Sequence, residues 1–191
     1  MHNVLNATAA IAVGVGLDIK PDAIRQALEA FRGVDRRFQL KGSERGVAVI
    51  DDYGHHPTEI RATLAAARRC GYRKIHVIFQ PHRYTRTRDL LDEFATAFAD
   101  ADSVWVLDIY AASEAPIAGI TGERVAQGIA EKGGKTASFA RSFAEAAAAA
   151  AGRAGEGDMV LTLGAGSVSQ IGPLVLEQLR QSAAVNAKSG L

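Results

Sequence analysis

Gly46-Val47-Ala48-Val49-Ile50-Asp51-Asp52-Tyr53-Gly54-His55-His56-Pro57 is the stretch on which the fold turns. Val47 to Ile50 are apolar and mostly β-branched, and glycine bounds them, which predicts a buried strand with its carboxyl end at the two aspartates. Pro57 suits the first turn of a helix running on through Thr58, Glu59 and Ile60, where a missing N–H costs nothing. In open α/β sheets, ligands bind outside the carboxyl ends of the strands. Acid, phenol and imidazole gathered at that point are therefore better placed for chemistry than for packing.

Downstream of Pro57, helix and strand patterns alternate. Helix 58–69 leads to strand 74–80, helix 90–100 to strand 103–109, helix 122–132 to strand 136–139, helix 142–153 to strand 158–163, and helix 170–180 closes the series. Strands at 75–79 and 104–107 are almost continuously apolar, as expected when both faces are covered. Upstream, strands 38–41 and 47–50 flank Gly42 to Gly46, a plausible hairpin loop. The prediction is an α/β fold: a Rossmann-like, doubly wound, mostly parallel sheet with one antiparallel edge strand and helices on both faces. The alanine run 146–151 reads as helix, because alanine is the strongest helix former. Before residue 36 the pattern is different. Val4, Leu5, Ala9, Ala12 and Val15 recur at helical spacing, and a second amphipathic helix, 22–31, follows Pro21. This divides the chain into a helical segment 1–35, an α/β domain 36–180 and a flexible tail 181–191. Two short helices cannot bury their own apolar faces, so Leu5, Ala9 and Ala12 are expected to self-associate or fray.

The 191 residues carry a net charge of +1, which supplies no field for nucleic acid or an anionic membrane. A single cysteine, Cys70, excludes an internal disulfide framework and fits a reducing compartment. Neither a bilayer-spanning apolar stretch nor a signal-peptide pattern is seen, and a cytoplasmic location is expected.

A metal site at His55 and His56 is disfavoured, since adjacent residues in extended chain point opposite ways and no second His/Cys cluster completes a ligand set. An aspartate helix cap beside solvated histidines would account for the acids but not for Tyr53 and the paired imidazoles. After the next strand comes Gln80-Pro81-His82-Arg83-Tyr84-Thr85-Arg86-Thr87-Arg88. Its guanidiniums and imidazole suit a carboxylate or phosphate, and one helical turn would put Arg83 and Arg86 on the same side. Arg88 reads as solvated, or as an i,i+4 ion pair with Asp92. Gly134-Lys135-Thr136 is not a phosphate loop, because it follows a helix and precedes a strand, the reverse of the required order. Gly164 to Ser169 lacks the third glycine of a dinucleotide fingerprint and comes last in the domain, so a tight strand-to-helix turn is the simpler reading. His2, Asn3 and Asn6 share about one helical face, and Arg37 stands at the start of the edge strand; alone, these say little.

Taken in order, His2-Asn3-Val4-Leu5-Asn6-Ala7, Arg36-Arg37-Phe38, the run from Asp51 to Glu59, Phe79 to Arg86, and Asp108 to Pro116 resemble the Mur ligases, ATP-dependent enzymes of peptidoglycan precursor synthesis. Within that family they are most similar to the branch that joins L-alanine to UDP-N-acetylmuramate. The resemblance implies an ADP-forming ligation through an acyl phosphate, assisted by magnesium held mainly by a central domain that is absent here, as is the amino-terminal domain for the UDP-sugar. It implies that His2, Asn3 and Asn6 bind adenine, that Arg37 reaches the ATP phosphates, and that Asp52 holds the ribose. It implies that Tyr53, His55, His82, Arg83 and Arg86 receive L-alanine and the reacting carboxylate. Arg37, Arg83 and Arg86 are the expected catalytic residues, and no metal ligand is assigned. Residues 1–35 would be the last helices of the central domain, and the fragment would be inactive alone. A non-catalytic nucleotide- or anion-binding module of the same fold is the alternative. Ser167-Val168-Ser169 departs from the family pattern, leaving that loop's contacts open.

Overall fold

The structure, a computed structural model, describes residues 2–31 and 33–189, with the side chains of residues 2, 3 and 182–189 outside the description. It divides into two compact units, Met1–Val34 and Asp35–Leu191. In the first, α1 (His2–Gly16) and α2 (Pro21–Ala30) form a helical pair. Pro21 opens α2 with Asp22 in its first turn, the charge favoured at a helix amino end. The helices meet at Gly14, where a β-carbon would come within 2.8 Å of Ile24. No residue of α2 is buried, and Val4, Leu5, Val13, Val15 and Leu17 are all about 60% exposed or more.

In the second unit the chain runs β1 (Gln39–Glu44), β2 (Val47–Asp52), α3 (Pro57–Arg69), β3 (Ile75–Phe79), α4 (Tyr84–Asp89), α5 (Leu91–Thr96), β4 (Ser103–Val106), α6 (Gly122–Gly133), β5 (Thr136–Phe139), α7 (Phe143–Arg153), β6 (Met159–Leu163), a 3-10 turn (Ser167–Gln170) and α8 (Ile171–Ser189). The sheet order is β1-β2-β6-β3-β4-β5. Only β1 is antiparallel, at the edge beside β2, so the expected mixed sheet is the one observed. One apolar layer gathers Ile60, Leu64, Phe79, Phe94, Phe98 and Ile129, and another gathers Val49, Ile78, Val160, Val175 and Leu179. Helices therefore cover both faces. The alanine run contributes Ala146, Ala147, Ala150 and Ala151 to the second layer, a stripe of small side chains along α7.

Local differences from the sequence reading have physical causes. The hairpin turn is not a loop from Gly42 to Gly46 but two residues, Arg45 (φ 54°) and Gly46 (φ 72°), the pair of positive dihedrals that matches strand twist. Gly42, Ser43 and Glu44 belong to β1, past a bulge between Leu40 and Gly42. Helix 90–100 shortens to α5, and a separate short helix, α4, forms from the basic stretch after β3. Arg88 pairs with Asp89 at 2.7 Å rather than with Asp92, which pairs with Lys132. Gly134 (φ 60°) ends α6 in the left-handed conformation, accounting for the false phosphate-loop signature. The last helix continues beyond the expected end at Arg180 to Ser189.

The parallel registers set Asp52 beside Leu163, Leu163 beside Phe79, and Phe79 beside Val106. The chain therefore leaves β2, β6, β3 and β4 at one edge of the sheet. That edge carries the candidate site.

Candidate functional site

The two aspartates ending β2 point to opposite faces, as the alternation of a strand requires, and do different things. Asp51, 0% exposed, takes the Arg36 Nε–H at 2.9 Å and the Thr162 hydroxyl at 2.6 Å. The rest of the Arg36 guanidinium donates to the carbonyls of Gly164 and, at 3.1 Å, Gly166. Asp52 accepts from Phe38 N at 2.8 Å, Gly54 N at 2.8 Å and the Thr63 hydroxyl at 3.2 Å. A carboxylate offers about four acceptor positions, so Asp52 retains one for a further donor.

Above this base the side chains form a ladder. The Arg37 guanidinium lies 5.5 Å from the Tyr53 ring centre, with Arg36 at 5.1 Å. Tyr53 meets His55 edge-on at 5.4 Å, His55 lies 5.7 Å from His82, and His82 stacks on Tyr110 at 5.4 Å. Arg86 closes the ladder by donating through one Nη1 to the His82 carbonyl at 3.2 Å and to its Nδ1 at 3.3 Å.

Hydrogen bonding fixes the polarity of the two imidazoles. A guanidinium only donates, so His82 Nδ1 accepts and its proton sits on Nε2, which is left as a donor. Burial, then the His55, Arg86 and Arg83 charges, push the His82 pKa below its ordinary value, keeping that ring neutral. His55 is the reverse. Its Nδ1 lies 3.0 Å from the Tyr53 carbonyl, which only accepts, so Nδ1 keeps a proton and Nε2 is the nitrogen that can release or take one. Glu59 reaches back to the His55 and His56 amides at 3.0 and 3.2 Å and completes a capping box with His56. Burial works against the Glu59 carboxylate, but those amides and the charges of His55 and Arg37 outweigh it and hold its pKa low.

Arg83, solvent-exposed, sits at φ 74° and ψ 135°, a conformation rare for a residue with a β-carbon. Among the described residues, seven non-glycine positions have positive φ, and Arg36, Phe38, Arg83, Ala112 and Ser113 are five of them. Strain thus concentrates at this edge, as it does around ligand sites.

Of the residues singled out in the sequence, Arg37, Asp52, Tyr53, His55, His82, Arg83 and Arg86 come together here. Asn6 belongs to the other unit and is exposed, and the side chains of His2 and Asn3 lie outside the described residues. Arg36, passed over in favour of its neighbour, is the part-buried strut, while Arg37 stays exposed over the Tyr53 ring. Gln80 and Tyr110 were also missed. Gln80 Oε1 accepts from Val168 N at 3.0 Å, and at Gly166 a β-carbon would come within 2.6 Å of both Gln80 Oε1 and Tyr110 Cγ. The departure at Ser167-Val168-Ser169 falls on this packed turn, with Val168 fully buried. Among the described residues no group of three or more His, Cys, Asp or Glu could hold a metal ion, and no helix is long and apolar enough to cross a membrane.

Residues 36–166 match the family model described as Mur ligase, glutamate ligase domain. The UDP-N-acetylmuramate–L-alanine ligase of Koribacter versatilis is 66% identical over 179 residues, 94% of this chain and 38% of the relative, and that of Myxococcus xanthus is 49% identical over the same share. The solved UDP-N-acetylmuramate–alanine ligase of Thermotoga maritima superposes with a TM-score of 0.77 at 34% identity, over 95% of this chain and 38% of that one. The chain thus spans less than half the length of these relatives. A family match over most of the domain and a shared fold lead to one assignment: this chain belongs to the Mur ligase family.

Proposed function

We propose that this chain supplies the amino-acid-binding and ATP-covering face of an ATP-dependent, ADP-forming ligase that joins L-alanine to UDP-N-acetylmuramate through an acyl phosphate in the cytoplasm. The names of the relatives support the reaction. The observation that carries the site is the opposite polarity of two neighbouring imidazoles, 5.7 Å apart between guanidiniums. A free amino acid has one donor end and one acceptor end. His82 Nε2–H, with Arg83 and Arg86, fits the carboxylate. His55 Nε2, the nitrogen that can release or take a proton, is assigned to the amino end, where in its unprotonated form it accepts the proton the ammonium must lose before the amine attacks. Formation and collapse of an acyl phosphate gather negative charge on phosphoryl and carboxyl oxygens, and positioned guanidiniums stabilise that charge. Arg37, exposed over the Tyr53 ring, is assigned to the phosphates, and Asp52, with one acceptor position remaining, to a ribose hydroxyl. Asn6, with His2 and Asn3, is assigned to adenine on the family resemblance alone. ATP and magnesium enter as the reaction's requirements. Among the described residues no cluster of acids and imidazoles fits a magnesium ion, and that ion is assigned, on the family resemblance, to the central domain of the family's plan.

The test is a chimera in which this chain replaces the matching segment of the Koribacter versatilis ligase, with phosphate release followed in UDP-N-acetylmuramate, ATP, magnesium and L-alanine. Turnover that depends on L-alanine is expected. It should fall about ten- to a hundred-fold in Arg86→Ala, the effect of losing a charged hydrogen bond. A folded chimera that turns over nothing would favour the non-catalytic binding module.

A further inference from the structure

One acid at this edge has no part in the reading above. Glu114 lies in the loop after β4, and its carboxylate takes both donors of a single residue: Thr85 N at 2.9 Å and the Thr85 hydroxyl at 2.7 Å. Thr85 is in the first turn of α4, between Arg83 and Arg86. A helix of six residues is too short to hold itself, and its cap residue, Arg83, makes no side-chain capping bond. Glu114 supplies that bond from 29 residues away. The same loop fixes Arg83 directly. Arg83 N donates to the Tyr110 carbonyl at 2.8 Å, and Tyr110 N donates to the Pro81 carbonyl at 2.9 Å. Ala112 (φ 49°) and Ser113 (φ 71°) then bend the chain back so that Glu114 meets Thr85. Two segments are zipped together, and the strained backbone of Arg83 is held from both sides of the zip.

We propose that Glu114 is a positioning residue: by clamping the loop after β4 onto the first turn of α4, it holds Arg83 and Arg86 in the geometry that receives the amino-acid carboxylate. The clamp rests on the ligase reading for the identity of that ligand, but its mechanics do not. The Thr85 amide and hydroxyl, then the Arg83 charge, hold the Glu114 carboxyl below its usual range, so the clamp stays closed at neutral pH.

Amide hydrogen exchange on the 191-residue chain tests the mechanics. In Glu114→Ala the Arg83 amide, which bonds Tyr110 and not Glu114, should exchange at least tenfold faster, while Phe79 and Leu161 amides in the sheet stay within twofold. Glu114→Gln, which keeps acceptor oxygen, should restore most of the protection. Faster exchange at Thr85 with Arg83 unchanged would overturn the proposal, since the bond would then act only locally. In the chimera, Glu114→Ala should raise the L-alanine KM at least tenfold with the ATP KM within twofold. An equal rise in both, or in neither, would overturn it as well. A parent chimera without L-alanine-dependent turnover counts against the ligase reading alone, and the amide measurement then decides the clamp.

Discussion

Replacing Arg36 with alanine should damage this domain more than any exposed arginine would. In the native chain its guanidinium meets Asp51 at 2.9 Å and two loop carbonyls, Gly164 and Gly166. Without it, a carboxylate that is 0% exposed keeps only the Thr162 hydroxyl, and both carbonyls lose their donor. Breaking a buried pair by removing one partner costs about 3–5 kcal/mol, because the surviving charge cannot be rehydrated. The Arg36 side chain is 23% exposed, which lets some water replace it and favours the lower end, about 3 kcal/mol. Against a total stability of about 5–15 kcal/mol, that is a large fraction. For a chain of this size it corresponds to a fall of about 6–12 °C in Tm. Urea unfolding of wild type, Arg36→Ala, Asp51→Leu and the double variant Arg36→Ala/Asp51→Leu would measure it. The double variant should lose less than the sum of the single losses, since no unpaired charge remains. An Arg36→Ala cost below about 1 kcal/mol, or strictly additive variants, would refute the strut.

Other outcomes follow from separate features. Gly166→Ala should cost about 1–3 kcal/mol by forcing Gln80 and Tyr110 apart, whereas Gly152→Ala, facing open space in α7, should gain about 0.4–1 kcal/mol; thermal melts would show both signs. His76 is fully buried between the Ser103 hydroxyl at 2.7 Å and Asp158 at 3.3 Å, and burial, outweighing the Asp158 and Asp102 charges, lowers its pKa. Stability from neutral His76 is therefore complete above the unfolded value of about 6.5 and lost as pH falls toward the lowered folded value. His82 acts in the same direction, so His76→Gln should flatten, not abolish, the loss seen by urea titration between about pH 7 and 5. The exposed Leu5, Ala9, Ala12 and Val13 of α1 predict concentration-dependent association in sedimentation, reduced by Leu5→Lys with Val13→Lys; a monomer unaffected by these changes would contradict it.

The sheet was legible because buried strands leave continuous apolar runs. Residues 75–79 and 159–163 are strands much as the pattern predicts, and the lone antiparallel pair is where turn glycines placed it. The helix α4 was not legible. Tyr84-Thr85-Arg86-Thr87-Arg88-Asp89 has no apolar period, and its first turn is secured by an acid far along the chain. Arg36 and Arg37 show a similar limit. Adjacent residues differ in direction, and nothing in two consecutive arginines tells which will turn inward to a buried acid. Glu114 stood inside a quoted motif, yet its bond to Thr85 spans 29 residues and has no sequence period.

The strand order has a consequence for how the chain is made. The last strand in sequence, β6, lies in the middle of the sheet, between β2 and β3. Until Leu163 has left the ribosome, β2 and β3 have no shared partner, and each shows an apolar edge open to any passing strand. Synthesis cannot fold this domain progressively from its amino end; it must hold two half-sheets apart and join them when the final strand arrives. A nascent chain stalled before β6 is therefore a substrate for chaperones, and a stop codon there would yield aggregate rather than a smaller domain.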